Sequence, residues 1–102
     1  MAKKLTKEAA QKFLSDVALD KYFYIYNGPI VKNIIELADV LDNITDEQFR
    51  YHRNNGKNDF YSWVKLVVLD NRLANEVARA KTLKTMQKKV KQRIDYLKSI
   101  AK

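Results

Sequence analysis

Cysteine is missing from the 102-residue chain, proline appears once, glycine twice, and histidine and tryptophan once each. Without cysteine there is neither a disulfide framework nor a thiolate metal site, and nothing demands an oxidising compartment. One histidine is too few for zinc. Scarce glycine and proline favour helices over a turn-rich sheet protein. The two glycines, Gly28 and Gly56, stand alone, so no glycine-rich loop cradles a phosphate. No apolar run reaches the ~18 residues of a membrane span, and the opening Met-Ala-Lys-Lys-Leu-Thr-Lys-Glu lacks the apolar stretch of a signal peptide. The expectation is a single domain over residues 1–102, cytoplasmic, with no cofactor, no metal and no membrane.

Acid is scarce at one end only. Residues 1–78 hold 11 Lys/Arg and 11 Asp/Glu, whereas residues 79–102 hold 9 Lys/Arg against Asp95 alone, so the whole formal charge of +8 sits in the last 24 residues. A neutral body carries a cationic end.

The chain reads as mainly α, with five or six short-to-medium helices around a central Trp63-bearing helix and one small β-hairpin at about residues 22–32. Thr6 caps a first helix to about Ala18, with Ala10, Phe13, Leu14 and Val17 as its apolar stripe. Tyr22-Phe23-Tyr24-Ile25-Tyr26, then Asn27-Gly28 and Pro29-Ile30-Val31-Lys32, predict a hairpin. A two-residue turn at Asn27-Gly28 sets Ile25 opposite Ile30 and Tyr24 opposite Val31. Asn33 opens a helix whose Ile34, Leu37, Ala38 and Leu41 share a face and which stops near Asp42 or Asn43. Thr45 with Gln48 forms a capping box, Ile44 and Phe49 a hydrophobic staple, and the helix they begin ends before Asn54-Asn55-Gly56.

Asn58 or Asp59 caps the next helix, with Phe60, Trp63, Val64 and Val67 as its stripe. Its end, Leu66-Val67-Val68-Leu69, is apolar almost all round, as in a buried central helix. Asp70 caps a short helix with Leu69 and Ala74 as a staple and Leu73, Val77 and Ala78 inward. The last helix runs over about residues 82–100. Leu83, Met86, Val90, Ile94, Leu97 and Ala101 follow at spacings of 3, 4, 4, 3 and 4. At roughly 100° per residue, Lys84, Lys88, Lys91, Lys98 and Lys102 gather on one flank. This basic amphipathic segment, residues 79–102, either packs on the body of residues 1–78 or extends from it.

His52, Asp59 and Ser62 are the residue types of an acyl-transfer triad. Ser62 lies about 160° around its helix from Phe60, pointing away from the core side, and no Gly-x-Ser-x-Gly elbow holds it. A structural role outweighs catalysis, with Asn58 or Asp59 capping, Trp63 in the core and His52 packed on the loop. Asp39, Asp42, Asp46 and Glu47 form an acidic cluster better explained by helix ends and solubility than by a metal. Tyr22, Tyr24 and Tyr26 have the chemistry to stack bases, but hairpin aromatics more often pack across strands.

His52, then Asn58-Asp59-Phe60-x-x-Trp63-Val64 and Asp70-x-x-Leu73-Ala74, together with the aromatic-Asn-Gly-Pro stretch and Ile35-Glu36-Leu37-Ala38, resemble a family of small, largely uncharacterised helical domains from archaea and candidate-phylum bacteria. The likeness covers about residues 22–78 and implies a fold rather than an activity. Members often carry Lys/Ala-rich tails like those of chromatin-type proteins. This sequence departs from them by placing its lysines on an amphipathic helix.

The functional expectation is a non-enzymatic basic module that contacts nucleic-acid backbone, DNA or RNA, without reading sequence, in a nucleoid or ribonucleoprotein setting. Lys81, Lys84, Lys88, Lys91, Arg93 and Lys98 are its candidate phosphate contacts. The alternative is a protein-interaction or structural module, in which the apolar stripe of the last helix packs on another chain or on a second copy.

Overall fold

The structure, a computed structural model, describes residues 5–102. Residues 1–4, the start of the stretch that lacks a signal peptide's apolar run, lie outside them. Among the described residues six α-helices and two short hairpins follow one another as α1 (Lys7–Leu14), β1 (Phe23–Tyr24), β2 (Ile30–Val31), α2 (Ile34–Leu41), α3 (Asp46–His52), β3 (Arg53–Asn54), β4 (Lys57–Asn58), α4 (Asp59–Trp63), α5 (Asn71–Arg79) and α6 (Leu83–Ala101).

Local chemistry starts nearly every helix where the sequence predicts. Thr6, Asn33, Asn58, Asp70 and Thr82 each accept a backbone N–H from the first turn of the helix they precede. Thr45 and Gln48 complete the reciprocal capping box. The Gln48 amide also donates to the carbonyls of Tyr26 and Asn27, so one side chain joins the start of α3 to the hairpin turn.

A second hairpin, β3 against β4, stands where only one hairpin was expected, and three other segments differ from expectation. Helix α1 stops at Leu14 rather than Ala18, because Ser15 turns its hydroxyl and its N–H back onto the Lys12 carbonyl. The chain then extends, and Val17 donates to Lys32 beside the hairpin.

The hairpin pairs Phe23 with Val31 and Tyr24 with Ile30, one residue out of the predicted register. A two-residue turn would need an N–H from Pro29 to close it, and proline has none. Gly28 donates to Ile25 instead, Asn27 takes the positive φ of 49°, and Ile25 donates to Pro29 across a three-residue loop. Gly28 is needed for closeness, since a Cβ there would sit 2.8 Å from Ile25 Cγ2.

Third, the helix begun by α4 widens into a π turn over Val64–Val68 and ends on Leu69 in the left-handed conformation, φ 70°. The wider turn rotates the side chains it carries, so Leu66 is 70% exposed and Leu69 also faces solvent, while Val68 stays buried. The four-residue apolar run is therefore not buried all round, and Leu69, expected to staple onto Ala74, is 54% exposed. Ala78 is exposed, and Ala80 is the alanine that turns inward.

The core gathers Phe60, Trp63 and Val64 from the central helix with Phe23, Phe49, Leu37, Leu41, Leu73 and Val77. Helix α6 packs on α1, α2 and α5, and Met86, Val90, Ile94 and Leu97 of its predicted stripe are buried. Gln11 donates to the Ala101 carbonyl at one end of α6, and Gln87 donates to the Leu41 carbonyl at 2.6 Å nearer the other.

Candidate nucleic-acid interface

Burying the apolar stripe of α6 forces its opposite side into water, since the two lie half a turn apart on one helix. Lys84, Lys88 and Lys98 are exposed along that side, with Lys81 before the helix and Lys102 after it. Lys84 and Lys98 are 14 residues apart, about 21 Å of helix at 1.5 Å per residue. Among the described residues none of these five lies within ion-pair distance of a carboxylate. Asp95 is exposed on the same side and is its one acid.

The two remaining candidates are engaged elsewhere. Lys91 is exposed but holds Asp42 of the acidic cluster at 2.8 Å. Arg93 has to be removed from the phosphate contacts. Its Nε and Nη2 donate to the two oxygens of Asp70 at 2.8 and 2.9 Å, with the guanidinium side chain 14% exposed and Asp70 only 1%. With its side-on fork matched to a buried carboxylate and little of the side chain in water, Arg93 is a brace of the fold rather than a mobile surface cation.

Met86, Val90, Ile94 and Leu97, the middle of the stripe expected to recruit a partner, are occupied by the chain's own helices, while Leu83 and Ala101 at its ends are partly buried.

A cleft absent from the sequence reading lies between α5 and α6, about 350 Å³ in volume and lined by Arg72, Glu76, Lys89, Gln92, Arg93 and Tyr96. Arg72 and Lys89 both face Glu76, at 3.8 and 3.5 Å, and the Arg93 guanidinium lies over the Tyr96 ring, 5.4 Å from its centroid. The sequence signal was Tyr96 itself, the one aromatic on the polar side of a lysine-rich helix.

The suspected triad resolves into a structural pair. His52 is 3% exposed; its Nε2 accepts the Tyr26 N–H at 2.9 Å and its Nδ1 lies 2.9 Å from Asp59 Oδ2. A nitrogen that accepts must be unprotonated, so the ring is the neutral Nδ1–H tautomer and donates to Asp59. The lone pair that a general base would use is taken by backbone. Ser62 is exposed and donates to the Asn58 carbonyl, not to the imidazole. Phe23, Tyr51 and Phe60 meet the ring edge-on. Tyr24 points to solvent, while Tyr26 stacks on Tyr51 at 4.2 Å.

His52 thus ties the first hairpin to α4. Exchanging it for leucine, which is similar in bulk but makes neither bond, strands the Tyr26 N–H and is expected to cost about 1–3 kcal/mol in urea unfolding at pH 7. An unchanged midpoint would refute the role.

Burial pushes the Asp59 carboxyl up, but hydrogen bonds from Lys57 and His52 and the Lys57 charge outweigh it and hold the group below its ordinary value of 3.8. A pKa lowered by folding contributes stability above the unfolded value that is lost as pH falls through the folded one. Asp59→Asn should therefore lose less stability than the parent on acidification below about pH 4.

Among the described residues no group of three or more His, Cys, Asp or Glu is placed to hold a metal ion, and no helix is long and apolar enough to cross a membrane. Arg53 donates from Nε and Nη2 to the carbonyls of Ala80 and Ala78, which anchors the second hairpin to the approach of α6. No family model matches the chain, and no curated protein or solved structure matches it significantly.

Proposed function

We propose that this domain is a non-enzymatic binding module that holds nucleic-acid backbone on the exposed side of α6, in a nucleoid or ribonucleoprotein setting. Lys84, Lys88 and Lys98 carry the contact, Lys81 and Lys102 extend it, and Lys91 adds to it only by releasing Asp42. The observation that supports the reading is the row of exposed lysines, broken only by Asp95 and by Lys91 paired with Asp42, on a helix whose other side is fixed in the core. Side chains that present ammonium groups without a matched fork attract phosphate by counterion release and do not distinguish bases. The absence of enzymatic activity is part of the same proposal and is supported by the capped imidazole of His52.

Titrating duplex and single-stranded DNA and RNA at two salt concentrations tests it. Binding should weaken steeply with salt, and Lys84→Gln/Lys88→Gln/Lys98→Gln should lower the slope of log K against log salt by about 2–3, since each phosphate contact contributes roughly 0.7–0.9. No binding at low salt, or binding indifferent to salt, would sink the proposal. The three residues are exposed, so the variant should unfold at the parent temperature.

A further inference from the structure

Lys84, Lys88, Gln92 and Tyr96 fall at every fourth position of α6 and form one ridge, which leads from the lysine line directly into the cleft between α5 and α6. From this geometry we infer that the nucleic acid held by α6 is single-stranded, with one unpaired base seated in that cleft against Tyr96. The inference rests on the proposed backbone contact and specifies its ligand.

Four features of the cleft fit a base flanked by phosphate and fit a duplex poorly. Tyr96 is 50% exposed, so a ring face is available. The ring stands against the Arg93 guanidinium, which is itself locked on buried Asp70, so the platform is set before a ligand arrives. Arg72 and Lys89 share Glu76 at distances too long for strong hydrogen bonds, which leaves both cations able to turn to a phosphate. Glu76 and Gln92 then present a carboxylate acceptor and an amide to the edge of a base. In a duplex the base faces are stacked on one another and the edges are paired, so nothing reaches Tyr96. A single strand offers every base face, and stacking on an aromatic side chain tolerates any of the four bases.

The test uses the full chain with a labelled single-stranded 12-mer of mixed sequence, the same sequence as a duplex, and adenosine monophosphate. The single strand should bind more tightly than the duplex at equal salt. Tyr96→Ala should weaken the single strand by about 5- to 150-fold, the range that one base–aromatic stack supplies, and leave the duplex unchanged. Tyr96→Phe, which keeps the ring, should stay near the parent. Equal loss for both forms, no loss on Tyr96→Ala, or monophosphate binding as tight as the 12-mer would each overturn the inference. In the first two cases the lysine line stands if Lys84→Gln/Lys88→Gln/Lys98→Gln still weakens both forms. Failure of both nucleic acids to bind at low salt would remove the backbone reading and the inference together.

Discussion

A chain ending at Lys81 is expected to lose its fold, not only its binding. Met86, Val90, Ile94 and Leu97 are buried against α1, α2 and α5. Each buried side chain of this kind contributes about 1.5–3 kcal/mol, so four contribute roughly 6–12 kcal/mol against a total stability of about 5–15 kcal/mol for a domain of this size. The truncation also strips the Gln87 donor from the Leu41 carbonyl and leaves the Asp70 carboxylate buried without its arginine. Circular dichroism and amide-proton dispersion should report a largely unfolded chain. A cooperative thermal transition near that of the parent would mean that the basic helix is an appendage. Charge pattern alone left open whether the cationic end packs on the neutral body or extends from it, and the helix that carries most of the net charge, six Lys/Arg against Asp95, also completes the core.

That double duty explains which parts of the molecule were readable in the sequence. Helix starts were, because a cap is a contact over three residues: Thr45 reaches Gln48, Asn33 reaches Glu36, and Thr82 reaches Thr85. The α6 stripe was readable for the same kind of reason, since a helix repeats its faces every three or four residues. The hairpin register was missed although its cause is local. Asn27-Gly28 is a strong turn signal, but Pro29 removes the donor on which a two-residue turn depends. The second hairpin, Arg53–Asn54 against Lys57–Asn58, was passed over as a loop, its strands being only two residues long.

The site was less legible than the fold. Exposure of Lys84, Lys88 and Lys98 follows from periodicity. Withdrawal of Arg93 does not, because its partner Asp70 lies 23 residues earlier and its only local signal was as a helix cap. The π turn over Val64–Val68 and the left-handed Leu69 likewise have no local signature, and an apolar run gave no hint that Leu66 would face water. His52 and Asp59 do meet, as their types suggested. What the sequence could not reveal is that the other imidazole nitrogen is already filled by the Tyr26 backbone.

Replacing Arg93 with methionine is expected to destabilise the domain by about 3–5 kcal/mol, because it leaves a carboxylate that is 1% exposed without its charge partner. Asp70 cannot simply turn to water, since it also accepts the Leu73 N–H as the cap of α5. The charge itself is thus the source of the cost, and Arg93→Met/Asp70→Asn should recover much of the loss, asparagine keeping a cap oxygen while removing the uncompensated charge. Urea midpoints of the parent, both single variants and the double variant give the coupling directly. A penalty below about 1 kcal/mol for Arg93→Met would show the pair to behave like an exposed ion pair. The cycle also separates two ways of losing nucleic acid. If Arg93 were a phosphate contact, the restored double variant would still bind weakly and with a lower salt slope. With Arg93 instead the brace behind Tyr96, the double variant should keep the salt slope set by Lys84, Lys88 and Lys98 and lose only the preference for single strands, because the ring is no longer held by a fixed guanidinium.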